Sequence, residues 1–219
     1  MVGHRVLGRS RRNVLPASGL PLEQDWASLR DELADRYGRV DAVVNNAGVA
    51  SRHRLPDVSV ADLNACFAVN LTGALIGIQT LLRLMPSGSS IVNVVSLAGL
   101  GGFLSAPYTI SKWALRGLNR AASLEFGDRG IRVNGIFPGL IDTPIHAPAT
   151  REFLEAAVLD TPLGRLGTAD EIAPLVVYLV SDESSFVSGA EITVDGGLSA
   201  HVSSKRMTDT IKAAAAGTS

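Results

Sequence analysis

The sequence predicts an α/β protein built on a doubly wound parallel sheet, because short apolar runs alternate along the chain with longer helical patterns. Four runs are rich in Val and Ile, carry almost no charge and end in turn residues, which is typical of strands buried on both faces. They occupy residues 40–48, 90–96, 131–139 and 189–197. Right-handed helical crossovers would join such parallel strands.

The helical patterns lie between these runs, at residues 25–38, 59–85, 105–130 and 168–184. The first has apolar residues at helical spacing and ends at Gly38. The second begins with Ser59 and Asp62, a cap-like opening, and continues as a long apolar helix suited to packing on a sheet. The fourth begins with Thr168 and has Glu171 three residues later, which predicts a capping box.

The composition fits one domain with a sizeable core and excludes several classes of partner. The chain has 219 residues, 46% of them hydrophobic and 19% charged, with a net charge of -1. This charge balance predicts neither a nucleic acid nor an anionic membrane as a partner. Because the sequence has no run of 18 apolar residues and no secretory signal pattern, we expect a cytoplasmic protein.

The cysteine and histidine pattern predicts no metal site. Cys66 is the only cysteine, so no disulfide can form within the chain, and its apolar context favours a role in packing. The four histidines are scattered, and neither CxxC nor HExxH occurs in the sequence.

Polar or glycine-rich residues follow the predicted strands, at the edge where an open α/β sheet binds its ligands. The strand ends carry Asn45 to Gly48, then Ser96, Pro138-Gly139 and Gly196-Gly197. Gly and Asn also simply end strands, and for any single strand that interpretation is preferred. Several such ends together, with Ser96 followed by a glycine-rich loop and Tyr108, favour a functional site.

Tyr108 and Lys112 stand four residues apart in a predicted helix, which places them on one face. A nearby lysine favours the phenolate, so it would lower the tyrosine pKa towards a range useful for proton exchange with an alcohol or ketone. Ser96 could hold the carbonyl oxygen. The pair alone is a weak signal, and its alternative interpretation is a half-buried tyrosine beside a surface lysine.

Seven stretches make the chain resemble the short-chain dehydrogenase/reductase (SDR) family, particularly its bacterial hydroxysteroid and 3-oxoacyl reductase-like members. The order and spacing of these stretches match over residues 40–198. They are NNAG (45–48), NLTG (70–73), IVNVVS (91–96), YTISK (108–112), IRVNGIFPGLIDT (131–143), TPLGRLGTADEIA (161–173) and SGAEITVDGG (188–197). The resemblance implies a single Rossmann-type domain and NAD(P)-dependent interconversion of a secondary alcohol and a ketone.

The resemblance also implies roles for individual residues. Tyr108 would be the catalytic acid/base, Lys112 would lower its pKa and hold the nicotinamide ribose, and Ser96 would bind the substrate oxygen. Asn70 would order a water on the proton relay. The implied cofactor-binding residues are Asn46 and Gly48 near the adenosine, Tyr108 and Lys112, and Pro138, Gly139, Ile141 and Thr143 near the nicotinamide.

One motif of the family is missing. Its glycine-rich turn, TGxxxGxG, lets a pyrophosphate approach a helix N-terminus, and the sequence does not contain it. We therefore expect an N-terminally incomplete fold, with an atypical or truncated remnant at 1–24, the catalytic domain at 25–200 and a tail at 201–219. The choice between NAD and NADP stays open.

Two functional hypotheses follow. The first is an NAD(P)-dependent oxidoreductase acting on a small-molecule alcohol or ketone, and the second is a catalytically impaired relative that serves as an oligomer partner or has no activity. A homo-oligomer, most simply a tetramer, is expected because the helix at 105–127 has more apolar residues than one core-facing stripe needs. These residues are Trp113, Leu115, Leu118, Leu124 and Phe126.

Overall fold

The computed structural model describes residues 23–146, 149–201 and 204–216. Four strands form the sheet: β1 (Ala42–Asn45), β2 (Ser90–Val94), β3 (Arg132–Pro138) and β4 (Glu191–Val194). The α-helices are α1 (Glu23–Tyr37), α2 (Val60–Phe67), α3 (Gly73–Leu81), α4 (Ala106–Glu125), α5 (Arg151–Asp160), α6 (Ala169–Val180) and α7 (Ser204–Ala216). Most of the predicted remnant at 1–24 lies outside the described residues.

The sheet is parallel throughout and its strands lie in the order β1-β2-β3-β4, which confirms the four predicted strands. In register, Val43 pairs with Ile91, and Ile91 pairs with Val133. All residues of β2 and β3 except the last of each are buried because helices cover both faces, which explains why these strands do not alternate between apolar and exposed polar residues.

The two faces of the sheet hold separate parts of the core. On one face, Ile91 and Val133 pack with Ile78 of α3 and Ala122 of α4, and Trp26 of α1 packs against this cluster. On the other face, Val92 and Ile136 pack with Leu179 of α6, and further partly buried residues surround them. The predicted doubly wound arrangement is thus confirmed.

The segment from Val60 to Leu84 is long and apolar enough to cross a membrane, judged by length and composition alone. Here Ile78 and Leu81 contribute to the core on the sheet, as in the central helix of a globular α/β domain. The predicted single helix over 59–85 is interrupted by one π-helical turn, Ala68–Thr72, between α2 and α3. The cap-like opening predicted at Ser59 and Asp62 is a capping box, and the capping box predicted at Thr168 and Glu171 is present.

β1 is an edge strand within the described part of the chain, since it pairs there with β2 alone. Val44 at its centre is 42% exposed, although its neighbours in β2 are buried. Helix α1 contains no buried residue. The sheet is therefore thinly covered on the β1 side, and the described strands contain no reversal of strand order of the kind at which doubly wound sheets bind dinucleotides.

Candidate active site

Ser96 follows the carboxyl end of β2 and begins a short 3₁₀ turn over Leu97–Gly99. Its hydroxyl accepts a hydrogen bond from the Ala98 N–H at 3.1 Å, which fixes the turn. Gly99 allows this turn to approach α4, because a Cβ there would lie 2.8 Å from Cγ1 of Val95 and 3.0 Å from the Lys112 carbonyl oxygen. The turn thereby places Ser96 beside the first turns of α4.

Tyr108 lies in the first turn of α4, which begins with Ala106 and Pro107. Proline suits this position because its fixed φ fits the helix and the helix leaves that N–H unpaired. The hydroxyl of Ser96 lies close enough to that of Tyr108 to lower the pKa of the phenol. Two residues that are twelve positions apart in the sequence thus present their hydroxyls together at the carboxyl edge of the sheet.

The pKa of Tyr108 is raised above its usual value, chiefly because burial disfavours the phenolate. The nearby Ser96 hydroxyl acts in the opposite direction, and the Cys66 thiol adds slightly to the increase. Burial therefore outweighs the lowering expected from Lys112 in the chain by itself, and the effect of Lys112 on this pKa stays a prediction. Tyr108 is a phenol at neutral pH.

Lys112 is buried, with 3% of its surface exposed, so the alternative of a surface lysine is also wrong. Its Nζ donates a hydrogen bond to the Val94 carbonyl oxygen at 3.0 Å and lies 5.7 Å from the centroid of the Tyr108 ring. Burial lowers the pKa of this amine to about 8. An ammonium has three N–H donors, so two are left for a ligand at this edge of the sheet.

Asn70 is 1% exposed and lies in the π-helical turn, a feature often found at functional sites. Its carboxamide accepts from the Val49 N–H at 2.8 Å and donates to the Val49 carbonyl oxygen at 3.0 Å. It also donates to the hydroxyl of Ser111 at 2.9 Å. Asn70 thus links the loop after β1 to Ser111 of α4, the residue that directly precedes Lys112.

Gly48 lies close to both Asn70 and Lys112. A Cβ built on Gly48 would lie 3.5 Å from Oδ1 of Asn70 and 3.6 Å from Nζ of Lys112. The predicted residues Gly48, Asn70 and Lys112 therefore meet at one point, and Tyr108 and Ser96 lie beside it. Asn46, two residues earlier in the same loop, is exposed.

The other predicted cofactor residues lie at the carboxyl end of β3. Pro138 ends the strand, and the Gly139 N–H donates to the Val194 carbonyl oxygen at 3.0 Å. A side chain at Gly139 would collide with the backbone of Asp195, at 2.8 Å from its Cα. Ile141 forms a parallel bridge with Gly167, and the Thr143 hydroxyl donates to the Ile141 carbonyl oxygen at 3.3 Å. These residues share the sheet edge with Ser96.

A row of buried carboxamides, which the sequence argument missed, crosses the sheet beneath the site. Asn45 donates to Oδ1 of Asn93 at 2.8 Å, and Asn93 donates to Oδ1 of Asn119 at 2.9 Å. The row connects β1, β2 and α4. The available signal was Asn93 itself, a polar residue in the middle of an apolar strand, because a buried amide requires partners.

Cys66 is buried, with 2% of its surface exposed, and burial raises the pKa of its thiol. Its apolar surroundings agree with the packing role expected from the sequence. Among the residues that the structure describes, no group of three or more His, Cys, Asp and Glu side chains is arranged to hold a metal ion.

A parallel sheet with helices on both faces, and a serine, tyrosine and lysine gathered at its carboxyl edge, define a Rossmann-like α/β protein with a polar site. A family model described as enoyl-(acyl carrier protein) reductase matches residues 21–199. The chain belongs to the short-chain dehydrogenase/reductase family, as the sequence resemblance indicated.

Curated relatives are dehydrogenases and reductases. Trans-4-hydroxycyclohexanecarboxylate dehydrogenase of Sinomonas cyclohexanicum is 36% identical over 176 residues, which cover 80% of this chain and 66% of that protein. The 3-alpha-(or 20-beta)-hydroxysteroid dehydrogenase of Mycobacterium tuberculosis strain H37Rv is 38% identical, with 78% and 65% covered. The 3-oxoacyl-(acyl-carrier-protein) reductase of Thermotoga maritima is 37% identical, with 77% and 70% covered. The chain thus spans about two thirds of the length of the curated relatives it matches.

Solved structures agree with this family. A gluconate 5-dehydrogenase from Burkholderia cenocepacia, in complex with NADP and tartrate, superposes with a TM-score of 0.78 at 32% identity. The match covers 83% of this chain and 73% of that one.

Proposed function

We propose that the protein is an NAD(P)-dependent oxidoreductase that interconverts a secondary alcohol and a ketone. The observation that carries the proposal is the convergence of Ser96, Tyr108 and Lys112 at the carboxyl edge of the sheet, with the Ser96 hydroxyl near that of Tyr108 and the Lys112 amine 5.7 Å from the Tyr108 ring. The names of the relatives, which are dehydrogenases and reductases of hydroxyl and carbonyl compounds, support it.

The proton step falls to Ser96 and Tyr108. A substrate oxygen placed between the two hydroxyls accepts a hydrogen bond from Ser96 and exchanges a proton with Tyr108. Because burial keeps Tyr108 protonated, the resting chain is prepared to donate a proton to a ketone. In the oxidative direction, the phenolate would take the alcohol proton. NAD or NADP, when bound, exchanges the hydride with the substrate carbon.

Lys112 and Asn70 support this proton step through their charge and their hydrogen bonds. Lys112 has two N–H donors beyond its bond to Val94, and these fit the hydroxyls of a nicotinamide ribose. Its charge, once fixed beside the Tyr108 ring, favours the phenolate formed during alcohol oxidation. Asn70 holds the loop at Val49 and the Ser111 hydroxyl in place. The water that the family resemblance assigns to Asn70 stays a prediction.

The residues of the site fit a ribose of the cofactor better than they fit its pyrophosphate. Gly48 has no side chain to cover Asn70 and Lys112, which would lie 3.5 Å and 3.6 Å from a Cβ there, and a ribose can be held beside them. The 219 residues contain no TGxxxGxG turn, which in this family supplies backbone N–H groups to the pyrophosphate. The second hypothesis, a relative with impaired catalysis, predicts that these 219 residues bind the cofactor weakly.

An aromatic wall beside the site favours an apolar substrate. The Phe103 ring packs edge-on against the Tyr108 ring, with centroids 6.4 Å apart, and against the Phe153 ring, at 6.1 Å. Phe153 belongs to α5, which follows the loop of Ile141 and Thr143. A cyclic or aliphatic secondary alcohol of modest size fits this wall, consistent with the cyclohexane and steroid substrates named for two relatives.

The outer face of α4 supports the proposal of a homo-oligomer, most simply a tetramer. Of the five surplus apolar residues noted in the sequence, Trp113 and Leu124 are exposed, and Ile110 adds a third on this face. Leu115, by contrast, is buried in the core. Exposed apolar residues in a row along one helix support the proposal of a contact with another chain.

A turnover assay tests the proposed function. The purified chain is incubated with a panel of cyclic and aliphatic secondary alcohols and millimolar NAD or NADP, and nicotinamide reduction is followed by absorbance. We expect turnover of at least one alcohol, abolished in a Ser96→Ala/Tyr108→Phe double variant. Turnover that persists in the double variant would contradict the assignment of the site.

A further inference from the structure

Helix α7 presents an uncovered apolar stripe. Met207 and Ile211, one helical turn apart and therefore on the same face, are 62% and 63% exposed. The helix lies beyond residues 21–199, which the family model matches, so the family's own core does not require it. A stripe of this kind on a helix usually faces a partner.

A shallow, open groove lies along the outer face of α5 and is formed by residues of that one helix. It is lined by Leu154, Glu155, Val158 and Leu159, and Leu159 is 63% exposed. Residues 154 and 158, like 155 and 159, are one turn apart, so the groove runs along the helix axis. Two apolar side chains at the same spacing, as on α7, fit such a groove.

The charges of the two helices are also complementary. Over Arg151–Asp160, α5 carries three carboxylates and one arginine, a net charge of -2. Over Ser204–Ala216, α7 carries three basic residues and one aspartate, a net charge of +2. Opposite net charges favour this pairing over pairing of either helix with itself.

The chain's own α7 does not cover the groove. Arg206 meets Asp160 at 3.5 Å, and the His201 ring nitrogen Nε2 contacts the Asp160 carbonyl oxygen at 3.0 Å, so α7 begins at the end of its own α5. Despite this proximity, Met207, Ile211 and Leu159 all stay more than half exposed. The partner that fits both surfaces is a second copy of the chain.

We propose that α7 of one copy docks in the α5 groove of another, in a two-fold arrangement in which each copy gives its helix and receives the partner's. Met207 and Ile211 fill the groove, and Lys212 faces the acidic edge formed by Glu152 and Glu155. This contact is separate from the outer face of α4. It also bears on the site, because α5 carries Phe153, which packs on Phe103 and, through it, on Tyr108.

Mixed cross-linking tests the docking directly. Cys66 is buried, so cysteines introduced by Met207→Cys in one preparation and Leu159→Cys in another, size-tagged preparation are the accessible thiols. The two are mixed at micromolar concentration and oxidised. We expect a disulfide-linked dimer of mixed size. The control replaces Met207→Cys with Asp209→Cys, about 200° around the helix, and should cross-link far less.

Two results would overturn the proposal: equal cross-linking by the Asp209→Cys control, or no dimer of mixed size. A Met207→Cys/Leu159→Cys double variant that forms its disulfide only within one chain would likewise assign the groove to the chain's own α7. As a second measurement, Met207→Asp/Ile211→Asp should weaken self-association at least about tenfold. Trp113→Asp tests the α4 face, so failure of either contact can be told from failure of the other.

Discussion

The amine of Lys112 lies 5.7 Å from the centroid of the Tyr108 ring at the carboxyl edge of the sheet, where Lys112 is buried and Tyr108 is half-buried. Burial acts on them in opposite directions, since it raises the pKa of the tyrosine and lowers that of the lysine to about 8. Each group is thereby pushed towards its neutral form. A ligand that ordered the remaining lysine donors would favour the charged amine and, with it, the phenolate.

Stability should reveal the Lys112 titration. Its pKa in the folded chain, about 8, is lower than the 10.5 of a free side chain. Between these values the folded state binds fewer protons than the unfolded state, so unfolding becomes more costly as pH rises from 8 towards 10.5. The full effect is on the order of 3 kcal/mol. Denaturant unfolding of wild type and Lys112→Met measures it, and parallel pH profiles would contradict the burial of a charged amine.

Asn70→Ala should destabilise the fold by about 1–3 kcal/mol, because it leaves the Val49 backbone groups and the Ser111 hydroxyl without a partner. Thermal or denaturant unfolding measures the loss. Asn64→Ala, at an exposed position of α2, is the matched control and should change stability by less than about 0.5 kcal/mol. Similar losses of stability in both variants would show that the hydrogen bonds of Asn70 do not stabilise the fold.

The 219-residue chain should bind NADH and NADPH more weakly than is usual for its family. The ribose contacts at Lys112 contribute about 1 kcal/mol each, and they cannot replace a cradle of N–H groups around the pyrophosphate. Titration followed by nicotinamide fluorescence measures the affinity. A Kd in the low micromolar range would contradict this expectation and show that other residues hold the diphosphate.

The α4 face should control oligomer formation. Replacing Trp113 and Leu124 together by Asp places charges in the proposed contact, so we expect light scattering to show a shift from tetramer to smaller species. Leu55→Asp, at an exposed position outside α4, should leave the mass of the oligomer unchanged. A wild-type chain that is a clean monomer at micromolar concentration would exclude the tetramer.

The strands were predictable because burial on both faces leaves a simple pattern, an apolar run such as 91–95 in which Asn93 is the one polar residue. The Tyr108 and Lys112 pair was predictable because helical spacing is a local property. The Asn45, Asn93 and Asn119 row was not, since its members are brought together only by the pairing of distant segments. The direction of the Tyr108 pKa was missed for the same reason, because burial depends on the tertiary fold.

Removal of one oxygen atom, that of the Tyr108 hydroxyl, tests most directly the central claim that Tyr108 exchanges the proton. Tyr108→Phe removes the phenolic hydroxyl that exchanges the proton, and Tyr178→Phe removes the same group from α6. On an alcohol that the wild-type chain oxidises, with NAD or NADP at saturation, we expect kcat to fall by about 10²–10⁴-fold in Tyr108→Phe and to stay unchanged in Tyr178→Phe. A Tyr108→Phe variant with near wild-type kcat would contradict the assignment of Tyr108 as the acid and base.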